Sequence, residues 1–346
     1  RGFYFRSLLN ITLLPIIFSG ILSIILAYFG FGVWALVFGI LTGNLLNTIL
    51  GWLSISWRPA FKFNMGITKD MLNFGGAISM QNVIMWFENT FDDILVGRRL
   101  GTSLLGVYRL GFNIAVLPAT QIASSITDVV YSTFTKLQDD KKELKRFFLY
   151  IIKYVSLITF PIGVVIFSTA KIFIPVLLGN NWIHAVPVIQ LVSLYGTIGS
   201  ITFAIPTLCR AVGRPELFLR YLILLLFIIV PVYMYAVPYG LKAISMVHLI
   251  IAIVSLPYIL HIGMRLLNIN TFEIINALWV SIVISIIIGS FIYILNILLP
   301  FMAQFSNIIN LIIIMSLAVF LYISLLYFIS RETFLEFLKF IKIAAF

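Results

Sequence analysis

Charge is scarce in this chain. Asp, Glu, Lys and Arg together supply 10% of its 346 residues, against roughly 25% in an average soluble domain. With 62% hydrophobic residues beside them, a globular surface cannot be covered by polar side chains, so a soluble enzyme and a disordered tail are both excluded. Cysteine is scarcer still. Cys209 stands alone, which rules out an intramolecular disulfide and a secreted disulfide scaffold. His184, His248 and His261 are the whole histidine complement, and none has a partner at metal-ligand spacing, so no metal site is expected. Long polar connections are missing too. Apolar stretches are separated by no more than about 17 residues, too few for a soluble catalytic domain between them.

Apolar sequence is what abounds, with a mean hydropathy of +1.12. A helix crosses about 30 Å of hydrocarbon with about 20 mainly apolar residues. Ten such stretches occur, over 8–29, 32–55, 70–96, 102–135, 147–170, 184–209, 216–237, 240–264, 273–299 and 307–330. Irregular backbone cannot face lipid, and these stretches are far longer than barrel strands. The fold class expected is therefore an all-α polytopic membrane protein of about ten transmembrane helices. Phe29-Gly30-Phe31-Gly32, Gly213-Arg214-Pro215 and Pro238-Tyr239-Gly240 mark three of the joints. The net charge of +11 then reads as membrane orientation, with no nucleic-acid partner. Sixteen basic residues fall in alternate connections, among them Arg58, Lys136, Lys141, Lys142, Lys145, Arg214 and Arg331, while Arg98, Arg99, Lys171 and Lys242 make up the opposite set. By the positive-inside rule both ends of the chain lie in the cytoplasm.

Ionisable groups inside a span cost about 2.5–3.5 kcal/mol at mid-helix on insertion scales, which makes them functional candidates by default. The 70–96 span holds the densest set. Gln81, Glu88 and Asp92 share one helical stripe, and Asn82, Asn89 and Asp93 share the next. Gln81, Glu88, Asn89, Asp92 and Asp93 are accordingly expected to line a cavity, the two aspartates alternatively capping its outer rim. Arg98, Arg99 and Arg109 break the positive-inside pattern. Arg109 lies at a depth close to that of Glu88, and either pairs with it or binds a phosphate oxygen bidentately. Arg98, Arg99 and Lys153 are further candidates for binding an anionic headgroup, with snorkelling the plainer explanation for Lys153; Arg220 is read as snorkelling. No catalytic residue stands out, since Asp139-Asp140 sits in a lysine-rich solvated run.

Pro118, Pro161, Pro206 and Pro231 are placed to kink their helices. Residues 137–148 read as a cytoplasmic linking helix, 171–183 as a short outer helix, and Phe334, Phe337, Leu338 and Ile341 as the apolar face of an interfacial helix.

One run is family-like: Asp92-Asp93-Ile94-Leu95-Val96-Gly97-Arg98-Arg99-Leu100-Gly101, then Leu105-Gly106-Val107-Tyr108-Arg109-Leu110-Gly111 and Leu117-Pro118. With Gly32 to Val37, Arg58-Pro59, Phe74-Gly75, Phe134 to Gln138, Phe160-Pro161, Gly179 to Trp182 and Ala211 to Pro215, it resembles the polysaccharide biosynthesis (Wzx-like) flippases. That superfamily also holds the lipid II flippases and the multidrug extruders. The resemblance implies a two-lobe bundle of which the first four helices would precede Arg1. Residues 1–69 would be the last two helices of the first lobe plus a linker, 70–267 the six-helix second lobe, and 268–346 an extra pair with an amphipathic tail. It further implies export of an undecaprenyl-diphosphate-linked oligosaccharide across the bacterial inner membrane. Membrane lipids and other polysaccharide-assembly proteins would be its partners, no cofactor would be needed, and proton or sodium coupling stays open. A cation-coupled drug extruder and a membrane-embedded glycosyltransferase or polymerase are the alternatives.

Overall fold

The apolar stretches are helical wherever the computed structural model describes them, over residues 5–54, 65–298 and 307–336. The helices are α1 (Phe5–Tyr28), α2 (Val33–Ser54), α3 (Met65–Arg99), α4 (Thr102–Leu137), α5 (Lys141–Leu177), α6 (Val186–Thr202), α7 (Ala204–Ala211), α8 (Pro215–Ala236), α9 (Leu241–Leu267), α10 (Thr271–Leu298) and α11 (Asn307–Ile329). Among the described residues seven of these are long and apolar enough to span a membrane, counting the run Asn180–Ala211 as one. The two arms of α4, bent by 48°, make an eighth if taken together. Ten spans are thus not reached on length and composition. The short apolar part of α1, Leu13–Tyr28, falls below that length, and α3, though 35 residues long, carries too many polar groups.

The chain divides into two units, Arg1–Thr68 and Lys69–Phe346. In the first, α1 and α2 form a hairpin on small residues. Ser19 and Ser23 of α1 meet Gly39 and Gly43 of α2, where a Cβ on Gly43 would lie 3.0 Å from that of Ser19. Close backbone approach of this kind is how helices associate in lipid, where water does not drive apolar faces together.

The second unit is built around α5, which packs against α4, α6, α10 and α11. Buried residues of α5 run from Leu144 to Ile174, so this helix is enclosed by protein over most of its length. Its start explains why residues 137–148 are not a separate helix. Asp140 accepts hydrogen bonds from the backbone N–H groups of Lys142 and Glu143, and its cap opens α5 itself. Lys145 then ties that first turn to the α9–α10 joint, bonding the Asn268 carbonyl at 3.2 Å and Glu273 at 2.8 Å. Asn268, at φ 51°, takes the left-handed conformation that ends α9. At its far end α5 runs past Pro175 to Leu177, followed by a 3-10 turn over Asn180–Ala185, which occupies the place of the short outer helix expected there. Residues 55–64, with Arg58 and Lys62, and the tail from 337 onward, with Phe337, Leu338 and Ile341, lie outside the described residues.

Candidate functional site

The polar residues of α3 share a face because Gln81, Glu88 and Asp92 fall within about 40° of one another around a 3.6-residue helix. Their surroundings differ with height. Gln81 is fully buried. Its side-chain amide donates to the Pro215 carbonyl at 2.7 Å and its oxygen accepts from Nε and Nη2 of Arg210 at 3.3 and 3.2 Å. It acts as a strut joining α3 to the α7–α8 corner. Asn89 is exposed and returns its amide to the Met85 carbonyl. Glu88 borders a small cavity of about 100 Å³ together with Tyr195, Thr202, Tyr221 and Ser255.

One turn further along, Asp92 enters a closed polar cluster. Two tight hairpins bring its members to one level. Gly101, at φ +95°, turns α3 into α4, and Gly240, at φ +87°, opens α9 after α8; both conformations suit glycine because it has no Cβ. Counted from these turns, Asp92 and Tyr108 lie nine and seven residues away, Tyr233 and His248 seven and eight, or about 10–14 Å at 1.5 Å per residue. The Tyr108 hydroxyl donates to Oδ2 of Asp92 at 2.6 Å. Nε2 of His248 stands 3.2 Å from that oxygen and 2.8 Å from the Tyr108 hydroxyl. The Tyr233 hydroxyl sits 2.8 Å from Nδ1 of the same ring. All four side chains are buried, while Oδ1 of Asp92 is enclosed with no hydrogen-bond partner. The rings of Phe112 and Tyr195 flank His248, each 5.2 Å from it centre to centre.

Beside this cluster Asp93 pairs with Arg109 at 3.0 Å, the carboxylate nearly covered and the guanidinium 63% exposed. Of the two readings of Arg109, pairing with Glu88 gives way to a pair one turn closer to the hairpin. Asp93 and Arg109 lie eight residues either side of Gly101, and antiparallel helices set such positions opposite each other. Arg98 and Arg99 are exposed in the last turn of α3. Lys153 is not part of this group. It lies on the first half of α5, 3.4 Å from Glu336 and 5.3 Å above the Tyr154 ring, and the Tyr154 hydroxyl bonds the same Glu336 oxygen. A wider groove of about 710 Å³, between α5, α6 and α10, is mostly apolar and stands apart from the carboxylates.

Sequence reasoning named Asp92, Asp93 and Arg109 and passed over Tyr108, Tyr233 and His248. His248 was weighed only as a metal ligand. Its place inside an apolar span was the signal, since such a position needs a polar partner.

A family model described as polysaccharide biosynthesis protein matches residues 1–187. The chain belongs to that family. Its relatives include the lipopolysaccharide biosynthesis protein WzxC of Escherichia coli strain K12, 26% identical over 57% of this chain and 42% of its own length. The teichuronic acid biosynthesis protein TuaB of Bacillus subtilis strain 168 is 28% identical over 46% of this chain and 33% of its own. The succinoglycan biosynthesis transport protein ExoT of Rhizobium meliloti strain 1021 is 22% identical over 51% and 36%. The matched stretches thus span less than half of these relatives. Among solved structures, the lipid II flippase MurJ in an inward closed conformation aligns with a TM-score of 0.69 at 14% identity, over 92% of this chain and 67% of its own, so this chain's fold is of the MurJ type. The family match takes in Glu88, Asp92, Asp93, Arg109 and Lys153 but ends before Tyr233 and His248.

Proposed function

We propose that this protein is a flippase that carries an oligosaccharide linked to a polyprenyl diphosphate across the bacterial inner membrane by alternating access, for assembly of a surface polysaccharide. Membership of the polysaccharide biosynthesis family carries this reading, and the MurJ-type fold agrees with it. The geometry of the site suits the cargo. Arg98, Arg99 and Arg109 gather at one end of α3 and α4, and a guanidinium matches diphosphate oxygens in charge and in bidentate shape. Arg109 holds Asp93 and remains mostly exposed, so its open side can receive a second anion while the pair stays in place. The protein acts as a transporter, not as an enzyme, and needs no cofactor.

Orientation follows from the basic residues. Lys136, Lys141, Lys142, Lys145, Arg146, Arg214 and Arg265 surround the α4–α5, α7–α8 and α9–α10 joints, so that end of the second unit faces the cytoplasm. The three arginines then stand at the outer face, where cargo is released. Lys153, near the cytoplasmic end, is placed for first contact with the headgroup. The test is complementation. The full-length protein, expressed in its own host deleted for the gene, restores surface polysaccharide, and lipid-linked oligosaccharide ceases to accumulate on the inner leaflet. Failure to restore it at normal membrane levels would refute the reading.

A further inference from the structure

The first half of α5 borders a charged groove that the flippase reading leaves without an occupant. It encloses about 480 Å³ between Arg146, Leu149 and Lys153 of α5, Trp279 and Val280 of α10, and Thr333 beyond α11. Arg146 and Lys153 stand seven residues apart, two turns along one face of α5 and about 10 Å apart in height. Glu273 borders the groove as well, and its charge is met by Lys145 at 2.8 Å. Lys153 lies eight residues beyond Lys145, about 12 Å deeper along the helix. Trp279 is 41% exposed, an aromatic placed between water and hydrocarbon.

Lys153 holds an anion supplied by the chain itself. After α11 the backbone turns at Ser330, whose hydroxyl accepts from the Thr333 N–H at 3.4 Å, and residues 331–336 form a short helical segment. Thr333 is buried and Phe334 meets the Tyr327 ring edge-on, 5.7 Å between centres, which fixes the segment against the bundle. Glu336 then reaches α5, where its Oε2 takes both Lys153 Nζ, at 3.4 Å, and the Tyr154 hydroxyl. Two donors converging on one acid oxygen make a seat for an acceptor-only group. The hold on Glu336 is weak. Its side chain is 54% exposed, and a pair so open to water contributes little. Arg146 is 82% exposed and makes a loose pair, at 3.9 Å, with Glu143 of its own helix. The groove thus offers two cations, one lightly covered and one open, beside an apolar wall of Leu149, Trp279 and Val280.

We infer that Arg146, Lys153 and the Tyr154 hydroxyl form a seat for the phosphate of an anionic phospholipid of the cytoplasmic leaflet, and that Glu336 takes the phosphate's place when the lipid is away. A phosphodiester suits the seat better than a carboxylate on a tether does. Its free oxygens lie between two long basic side chains and accept from both, while an acyl chain follows the apolar wall. Basic pockets between helices on the cytoplasmic side take anionic headgroups in this way. The groove is walled by α5, α10 and the segment after α11, and by no member of the Asp92 cluster. Binding exchanges one anion for another on Lys153, so residues 331–336 come away from α5 without stranding a cation. The inference takes its leaflet from the proposed orientation and does not depend on the cargo. Lys153 is also placed for first contact with the cargo, so cargo and phospholipid compete there.

The experiment uses the full-length protein in detergent, with native mass spectrometry to count bound lipid as phosphatidylglycerol or zwitterionic phosphatidylethanolamine is added. Phosphatidylglycerol binds the more tightly, by about tenfold. Lys153→Gln and Arg146→Gln each weaken it about tenfold, as loss of a charge-assisted contact requires. Glu336→Gln removes the competitor and strengthens it about threefold, in keeping with a weak exposed pair. Lys242→Gln, exposed at the start of α9, changes nothing. Backbone hydrogen exchange over 331–336 rises with phosphatidylglycerol and not with phosphatidylethanolamine. Equal binding of the two lipids, no loss in Lys153→Gln, or a loss in Glu336→Gln overturns the seat; unchanged exchange overturns the displacement of Glu336. The opposite signs expected at 153 and 336 keep the test decisive where one variant is less stable. Undecaprenyl diphosphate, added as a competitor, displaces phosphatidylglycerol at comparable concentration. A preference for it beyond about a hundredfold overturns the phospholipid as occupant and gives the seat to the cargo. No displacement at all takes Lys153 out of the cargo path and upholds the phospholipid seat.

Discussion

Asp92 and His248 are 156 residues apart in sequence and meet at 3.2 Å, Oδ2 to Nε2, in a pocket that leaves both side chains less than a tenth exposed. Two hairpins with glycine turns make this meeting, and the rings of Phe112 on α4 and Tyr195 on α6 flank the histidine. Tyr108 and Tyr233 come from the same two hairpins and close the polar circle.

The pair predicts a pattern of stabilities. His248→Leu leaves a buried carboxylate without its nitrogen partner and lowers stability by about 3–5 kcal/mol where the charge persists. Adding Asp92→Leu removes the stranded group, and most of the loss returns. Thermal unfolding of the purified protein in detergent reads both. A double variant no more stable than His248→Leu alone would mean that the two residues do not act as a unit.

Gln81 makes a prediction of a different kind. Replacing it with Leu strands the Pro215 carbonyl and leaves Arg210 without its oxygen, at a cost of about 1–3 kcal/mol for buried groups left unsatisfied. Gln81→Glu keeps an acceptor for Arg210 but loses the donor to Pro215, and falls between. Export per molecule in the membrane stays near wild type for both, because Gln81 is a strut. Lost export at unchanged protein level would move Gln81 into the transport path.

The stripe on α3 was legible because a 3.6-residue period puts 81, 88 and 92 on one face whatever surrounds them. What each touches was not legible, since height along the helix decides it. Gln81 meets the α7–α8 corner, Glu88 a small cavity, and Asp92 the α8–α9 hairpin. Arg109 was assigned a depth from an assumed membrane edge, which set it level with Glu88. Counting from Gly101 instead puts it opposite Asp93, where it is found. The same counting from Gly240 pairs Tyr233 with His248. Nothing in the sequence says that these two hairpins pack together, so the full cluster needed the fold. The apolar runs gave helices without difficulty, and α3, already marked by its polar face as the span that lines a cavity, falls below the apolarity of its neighbours for the same reason.

Orientation can be checked with two exposed positions at opposite ends of α4. Thr102→Cys and Gln138→Cys, each in a Cys209→Ala background, place a single thiol beside the α3–α4 turn and the α4–α5 turn. An impermeant thiol reagent applied to cells with a permeabilised outer envelope labels the first and spares the second until the inner membrane is opened. Equal labelling, or the reverse order, would overturn the assigned orientation and move the three arginines to the cytoplasmic face.

Arg109 separates structural pairing from cargo binding. Its side chain is 63% exposed while that of Asp93 is nearly covered, and a pair open to solvent on one side contributes no more than about 1 kcal/mol. Arg109→Gln therefore folds and reaches the membrane at close to wild-type levels. If the guanidinium only neutralises Asp93, then Asp93→Asn rescues Arg109→Gln, because removing both partners leaves no stranded charge. If it binds diphosphate, rescue fails: the double variant is as defective as Arg109→Gln, and Arg109→Lys recovers only part of the export, since an ammonium supplies charge without the bidentate fork. The second pattern is the one expected, with export down by about tenfold or more in Arg109→Gln for a lost charge-assisted contact to the headgroup. Surface polysaccharide is the readout, normalised to membrane protein. Restored export in the double variant would take Arg109 out of the cargo site and leave Arg98 and Arg99 to hold it.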